Sequence, residues 1–145
     1  MTPKNFLTKG TMGAAKNEFP STFNWQTTNP APFRPNTPPS GLTAGSMSGT
    51  NTIYSNIVDI SIYDNMGLEV TWTGTPTGTF SVMVSNSGST FYALTFNPTL
   101  AQPAGSAGGY AVNLNQLPFQ YLMLEYTNSS GTGSLNVYGQ TKAMV

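Results

Sequence analysis

The chain of 145 residues suits one domain with a modest core, and it holds five basic and five acidic side chains but no histidine and no cysteine. This composition excludes a histidine general base, a cysteine nucleophile, disulfides and the commonest nitrogen and sulfur metal ligands. Because charged residues make up only 7% and the formal net charge is zero, the composition favours an associating structural or binding protein over an enzyme.

Residues 1–50 are predicted to form an extended, irregular arm and linker. Seven of the eleven prolines lie there, and proline at this density is incompatible with a helix or a central strand. Four of the five basic residues against one glutamate give this segment a charge of +3, whereas residues 51–145 carry −3. A partly disordered leader is one interpretation. We favour an arm whose aromatic side chains anchor it to a partner: Phe6, Phe19, Phe23, Trp25 and Phe33.

Residues 51–145 show the period-two alternation of half-buried strands. Leu68, Val70 and Trp72, for example, alternate with polar residues, so Trp72 is predicted to be a core anchor rather than a ligand platform. Glycine, proline, asparagine and serine separate seven or eight such segments. The pattern predicts an all-β domain, a small antiparallel β-sandwich of jelly-roll or immunoglobulin-like type. Residues 64–67 are predicted to be a turn, with Gly67 at positive φ.

Two segments share a Gly-Thr turn chemistry. Trp72-Thr-Gly-Thr-Pro-Thr-Gly-Thr-Phe-Ser-Val82 and Tyr126-Thr-Asn-Ser-Ser-Gly-Thr-Gly133 each run from an aromatic-Thr strand end into an alternating strand. They are either an internal repeat, with one hairpin in each sheet, or two independent uses of common turns. Together, over residues 55–142, they resemble a motif of small virion-associated structural proteins of bacteriophages. The resemblance implies a β-sandwich in a virion and carries no catalytic residues.

Other chemistry has little support in the sequence, and no catalytic, metal or cofactor site is predicted. Asp59 and Glu69 lie at outward strand positions and are interpreted as solvated carboxylates rather than a facing catalytic pair. The basic residues of the arm are too dispersed for a phosphate-binding footprint, so nucleic acid is not an expected partner. No membrane span and no signal peptide are predicted. A glycan site would use exposed aromatic side chains: Tyr54, Tyr63, Phe91, Tyr110, Tyr121 and Tyr138.

These observations predict a non-enzymatic structural protein of a phage virion, made in the host cytoplasm. The leading hypothesis is a capsid-associated role, as a minor capsid, cement or decoration protein. Its partners would be the major capsid protein and further copies of this chain, held by the N-terminal arm. The alternative hypothesis is a tail or spike binding module that recognises a host-surface glycan.

Overall fold

A computed structural model describes residues 22–31, 44–63 and 65–142. Over these residues the chain is all β, and two antiparallel sheets pack together, which confirms the predicted small β-sandwich. None of the described residues forms a helix long and apolar enough to cross a membrane. The strands of the described part are β1 (Trp25–Gln26), β2 (Gly45–Met47), β3 (Thr52–Ser55), β4 (Val58–Asp59), β5 (Asn65–Trp72), β6 (Thr77–Ser85), β7 (Tyr92–Ala93), β8 (Gly108–Asn115), β9 (Tyr121–Ser130) and β10 (Gly133–Lys142).

The chain passes from one sheet to the other between several consecutive strands. A six-stranded sheet has the order β1-β3-β9-β6-β7, with β4 also paired to β9, and a four-stranded sheet has the order β2-β10-β5-β8. Consecutive strands β5 and β6 therefore lie in different sheets, and so do β9 and β10. Because β6 pairs with β9 and β5 pairs with β10, these two of the connections between the sheets run side by side.

These connections are the two Gly-Thr segments of the sequence, and they contact each other. The Thr75 amide donates to the Thr132 carbonyl at 2.9 Å. A Cβ atom on Gly131 would collide with the Thr75 carbonyl oxygen, and one on Gly133 would collide with the Thr73 carbonyl oxygen. Glycine is required there because the two backbones touch. The segments are thus paired crossings between the sheets rather than separate hairpins within each sheet.

The core lies between the sheets and is filled by the inward side chains of the alternating strands. Trp72 is 7% exposed and shares this face with Leu68 and Val70, which confirms its prediction as a core anchor. Its indole nitrogen donates to the Ser106 carbonyl at 2.8 Å, so its one polar atom is satisfied. The Tyr110 ring packs against the indole edge to face, with ring centroids 5.8 Å apart.

The sandwich begins before the boundary predicted at residue 50, because β1 and β2 belong to its two sheets. Phe23 and Trp25 are 0% and 3% exposed, and both belong to the hydrophobic core. The Trp25 ring lies directly over the backbone of Gly45 and beside Ile53. This position corrects the prediction that Phe23 and Trp25 anchor the chain to a partner, because side chains buried in their own core have no surface to offer. Phe6, Phe19 and Phe33 lie outside the described residues.

A buried asparagine joins the crossing end of the sandwich to the turn before β3. Asn128 is 1% exposed. Its side-chain amide donates to the carbonyls of Gly49 and Gly131 at 2.9 and 3.0 Å, and its Oδ1 accepts from the Tyr126 hydroxyl at 2.9 Å. Every polar atom of this side chain is therefore paired, as burial requires.

Candidate binding face

Gly67 lies in the middle of strand β5, not in a turn. Residues 65–67 pair with both neighbouring strands, and Gly67 is not among the described glycines with positive φ. The predicted turn is wrong at these residues because tertiary pairing overrides the local turn preference of the Asn-Met-Gly sequence. Asp64 lies outside the described residues. A Cβ atom built on Gly67 would meet no other atom within 4 Å, so the glycine leaves open space above the sheet.

This open space lies on the outer face of the four-stranded sheet, between two cross-strand rows. One row is Gln140, Gly67 and Asn113, in which an amide side chain stands on each side of the glycine. The neighbouring row is Tyr138, Glu69 and Ala111. Directly opposed residues of paired strands share a face of the sheet, so all six of these residues face outward.

The two rows surround an open depression of about 630 Å³. Its floor is the backbone of the sheet, since Gly67 has no side chain and Ala111 a small one. Tyr138, which is 43% exposed, forms a wall on the β10 side. A volume of this size is within the range of ligand sites, roughly 300–1,000 Å³.

The polar groups of the depression can both donate and accept hydrogen bonds. The amides of Asn113 and Gln140 offer donors and acceptors, and the exposed carboxylate of Glu69 offers acceptors. The Gln140 amide makes a 3.3 Å bond to the Thr141 carbonyl. The Tyr138 ring adds a flat apolar surface that ends in a hydroxyl. The face as a whole is suited to holding a ligand that is rich in hydroxyls and has an apolar side.

Of the aromatic side chains predicted as glycan candidates, the structure places Tyr138 in this depression. Tyr110 instead points into the core, and burial raises the pKa of its phenol to about 12. Its hydroxyl has no hydrogen-bond partner among the described residues. Tyr63 also packs against the core. Tyr54 and Tyr121 lie on strands of the other sheet, and Phe91 directly precedes β7 of that sheet.

The two carboxylates considered together in the sequence lie in different sheets. Asp59 is in β4 and accepts from the backbone amide and the hydroxyl of Ser61 at 3.0 and 2.7 Å. Glu69 is in β5 of the opposite sheet. They do not face each other across a cleft. Within the described ranges, no three acidic side chains come together as a possible metal site.

The outer face of the six-stranded sheet carries large side chains at several outward positions. Met123 is 2% exposed and is paired with Met83, and Glu125 stands between Tyr54 and Ser81. Partial burial raises the pKa of the Glu125 carboxyl. Burial and the charge of Glu125, in that order, raise the pKa of the Tyr54 phenol.

Sequence reasoning identified Tyr138 and considered Glu69, but it missed Gly67, Ala111, Asn113 and Gln140. One signal was available for Gly67. A glycine inside an alternating strand pattern, as in Met66-Gly67-Leu68, often marks a place where a ligand or another backbone approaches the strand. The other three residues could not be assigned without the register of β5 against β8 and β10.

Comparison with known proteins identifies no family. No family model matches the chain, and no curated protein matches it. Among solved structures, the fold is similar to part of the enzymatically active domain of bacteriophage CBA120 tailspike protein 4, with 12% sequence identity and a TM-score of 0.47. The alignment covers 83% of this chain and 18% of that chain. A likeness at this level carries no argument about activity.

Proposed function

We propose that this chain is a non-enzymatic binding protein of a bacteriophage virion whose sheet depression recognises an uncharged glycan on the host surface. The observation that carries this proposal is the opening above Gly67, bordered by the Tyr138 ring and by the amides of Asn113 and Gln140. These groups lie on paired strands, so their positions are fixed by the sheet rather than by a loop.

The lining residues favour a sugar over other ligand classes. A pyranose ring has an apolar face of C–H groups and a rim of hydroxyls, which matches one aromatic wall beside groups that donate and accept. None of the described residues that line the depression is basic, and Glu69 is acidic. An anionic ligand would therefore meet a like charge and no counter-charge. Uncharged sugars remain the best fit.

The open form of the depression also matches a chain-like ligand. The depression is a shallow site on a sheet face, so a polysaccharide can lie across it without threading an end into a closed cavity. One aromatic wall and a few hydrogen bonds give a weak single site, with a Kd on the order of 0.1–1 mM. Several copies on one particle would bind much more tightly through avidity.

The virion part of the proposal is supported by the resemblance of residues 72–85 and 126–133 to phage virion-associated proteins. In this fold those segments contain the paired crossings between the sheets, residues 73–76 and 131–132, where backbone contact requires glycine. The motif residues therefore stabilise the fold of the sandwich. The proposed ligand site is formed by other residues, on the outer face of the four-stranded sheet.

A capsid-associated role, with the N-terminal arm bound to the major capsid protein, is the second candidate. The observation that favours it is the charge of +3 on residues 1–50 against −3 on residues 51–145, which would attract the arm of one copy to the body of another. Phe6, Phe19 and Phe33 remain its predicted anchors. Phe23 and Trp25 no longer support it, because they are core residues of the sandwich.

One experiment separates the two candidates. The purified full-length protein is applied to an array of neutral and acidic oligosaccharides and, in parallel, to preformed capsids of the phage. We expect binding to neutral sugars that Tyr138→Ala weakens tenfold or more. The matched control is Tyr92→Ala, because Tyr92 is 70% exposed at the edge of the other sheet. Binding to capsids without sugar binding, or equal effects of both substitutions, would contradict the glycan proposal.

A further inference from the structure

Strand β8 forms one long edge of the sandwich that no described strand pairs with. β8 ends the order of the four-stranded sheet and pairs only with β5 among the described strands. It is eight residues long, whereas the other strands at the ends of the two sheets, β1, β2 and β7, have two, three and two residues. An open edge of this length presents a row of backbone donors and acceptors to any strand that approaches it.

The edge has none of the features that usually block strand addition. Residues 108–115 contain no charged side chain and no proline. The register against β5 is continuous from Trp72 opposite Gly108 to Asn65 opposite Asn115, so no bulge twists the edge away. Natural sheets normally protect long edges with lysines, prolines or bulges. Strand β8 therefore lacks the features that would prevent it from pairing with another strand.

The edge is also held firmly in position. Val112 and Leu114 are 3% and 2% exposed and fix the strand to the core. At the start of β8, Trp72 contacts both Ser106, through a hydrogen bond, and Tyr110, through its ring. A strand that is already ordered loses little conformational entropy when it pairs with another strand.

We propose that β8 pairs antiparallel with β8 of a second copy of this chain, about a twofold axis perpendicular to the sheet. A twofold axis makes the contact self-complementary and closed. Residues opposed across the new pair share a face, and because β8 is uncharged, no register places like charges opposite each other. The two four-stranded sheets then form one continuous sheet.

The pairing brings two binding depressions together. Ala111 and Asn113 belong to β8 and also line the depression, and the twofold axis keeps both outer faces on the same side. Two copies would therefore present a bivalent surface to one polysaccharide chain. The pairing itself is independent of what the depression binds, so it can fail while the proposed function stands.

Sedimentation velocity of the full-length protein over a concentration series tests the pairing without any ligand. We expect a monomer–dimer equilibrium that Ala111→Lys weakens tenfold or more, because two lysines would face each other near the axis. Thr79→Lys, an exposed position on the outer face of the other sheet, is the matched control and should leave the dimer unchanged. Circular dichroism confirms that both variants are folded.

Cysteine crosslinking gives a second, geometric measurement. The chain contains no cysteine, so Ala111→Cys introduces the one thiol available. Opposed Cβ atoms of an antiparallel pair are about 4.5–5.5 Å apart, within reach of a disulfide after small adjustment. We expect oxidation to yield a covalent dimer from Ala111→Cys, or from its mixture with Asn113→Cys, but not from Thr79→Cys. A protein that stays monomeric, or a dimer that is insensitive to Ala111→Lys, overturns the proposal.

Discussion

The two outer faces of the sandwich have the same alternation of inward and outward residues but very different surfaces. On the four-stranded sheet, Gly67 and Ala111 leave an opening between Tyr138 and the neighbouring amides. On the six-stranded sheet, Met83 and Met123 stand opposite each other on paired strands, and Met123 is 2% exposed. The first face is open and polar around Gly67, whereas the second face buries Met123 and partly buries Glu125.

The difference shows that strand alternation fixes which side of a sheet a residue faces but not whether that side is open. The sizes of the side chains on the paired strands decide whether that side is open. A glycine between two amides leaves a depression, whereas paired methionines fill the same kind of space. For this reason we place the proposed ligand site on the four-stranded face rather than on the six-stranded face.

The largest expected effect is at the core residue beneath the open face. Trp72→Ala should lower the free energy of unfolding by about 3–5 kcal/mol, because it removes a buried ring and leaves a cavity. Chemical denaturation measures this loss. If stability were retained while only ligand binding disappeared, Trp72 would belong to the binding face and the division between core and surface would be wrong.

The second prediction compares one outward residue from each face. Met123→Ala should cost about 2–5 kcal/mol, because this outward side chain is as buried as a core residue. Tyr138→Ala, on the open face, should change stability by no more than about 0.5 kcal/mol. Thermal and chemical unfolding of the two variants gives the comparison. Equal losses of stability would show that outward side chains are buried to the same extent on the two faces.

The third prediction concerns the pH dependence of stability on the closed face. Burial raises the pKa of Glu125 above its ordinary 4.5, so the folded protein keeps a proton that the unfolded chain has already released. The contribution of Glu125 to stability should therefore be largest below about pH 4.5 and fall as the pH rises through its raised pKa.

Glu125→Gln tests this prediction because glutamine does not titrate. The variant should lose that fall in stability and should be more stable than the parent protein at neutral pH. It should also lower the pKa of Tyr54, since the Glu125 charge is the second cause, after burial, of that raised pKa. Unchanged pH profiles for both stability and Tyr54 titration would show that the closed face does not bury the carboxyl.

Much of the fold could be predicted from the sequence because the period-two pattern is local. The inward set of Leu68, Val70 and Trp72 follows directly from alternation, and the all-β sandwich follows from the repetition of such segments. The pairing of distant segments could not be predicted this way. Whether residues 73–76 turn back within a sheet or cross to the other sheet depends on contacts with residues 131–133.

The sequence assigns Phe23 and Trp25 to an arm for the same reason: contacts between residues distant in sequence cannot be read from a local pattern. Prolines nearby in the sequence suggested an irregular segment, but the burial of Trp25 comes from Gly45 and Ile53, which are far away along the chain. The candidate site had one local signal, a glycine within an alternating strand. Its amide neighbours are supplied by two other strands, and only the register brings them together.

The smallest expected effect on stability is at Gly67. Gly67→Thr should leave the fold intact and raise the free energy of unfolding by about 0.5–1 kcal/mol, because glycine is unfavourable inside a strand. A Cβ atom at this position meets no neighbour within 4 Å, and the backbone is not in the left-handed region. Urea denaturation checks this outcome, and a marked loss of stability would show that the space above Gly67 is not free.

The same substitution provides the most direct test of the binding face. Isothermal titration compares the parent protein with Gly67→Thr, using the neutral oligosaccharide that gives the strongest array signal. We expect measurable binding by the parent protein and at least a tenfold loss in the folded variant, because the threonine side chain occupies the depression. Equal affinity of the two proteins, or no binding of any neutral sugar by the parent protein, would contradict the assignment of glycan recognition to this face.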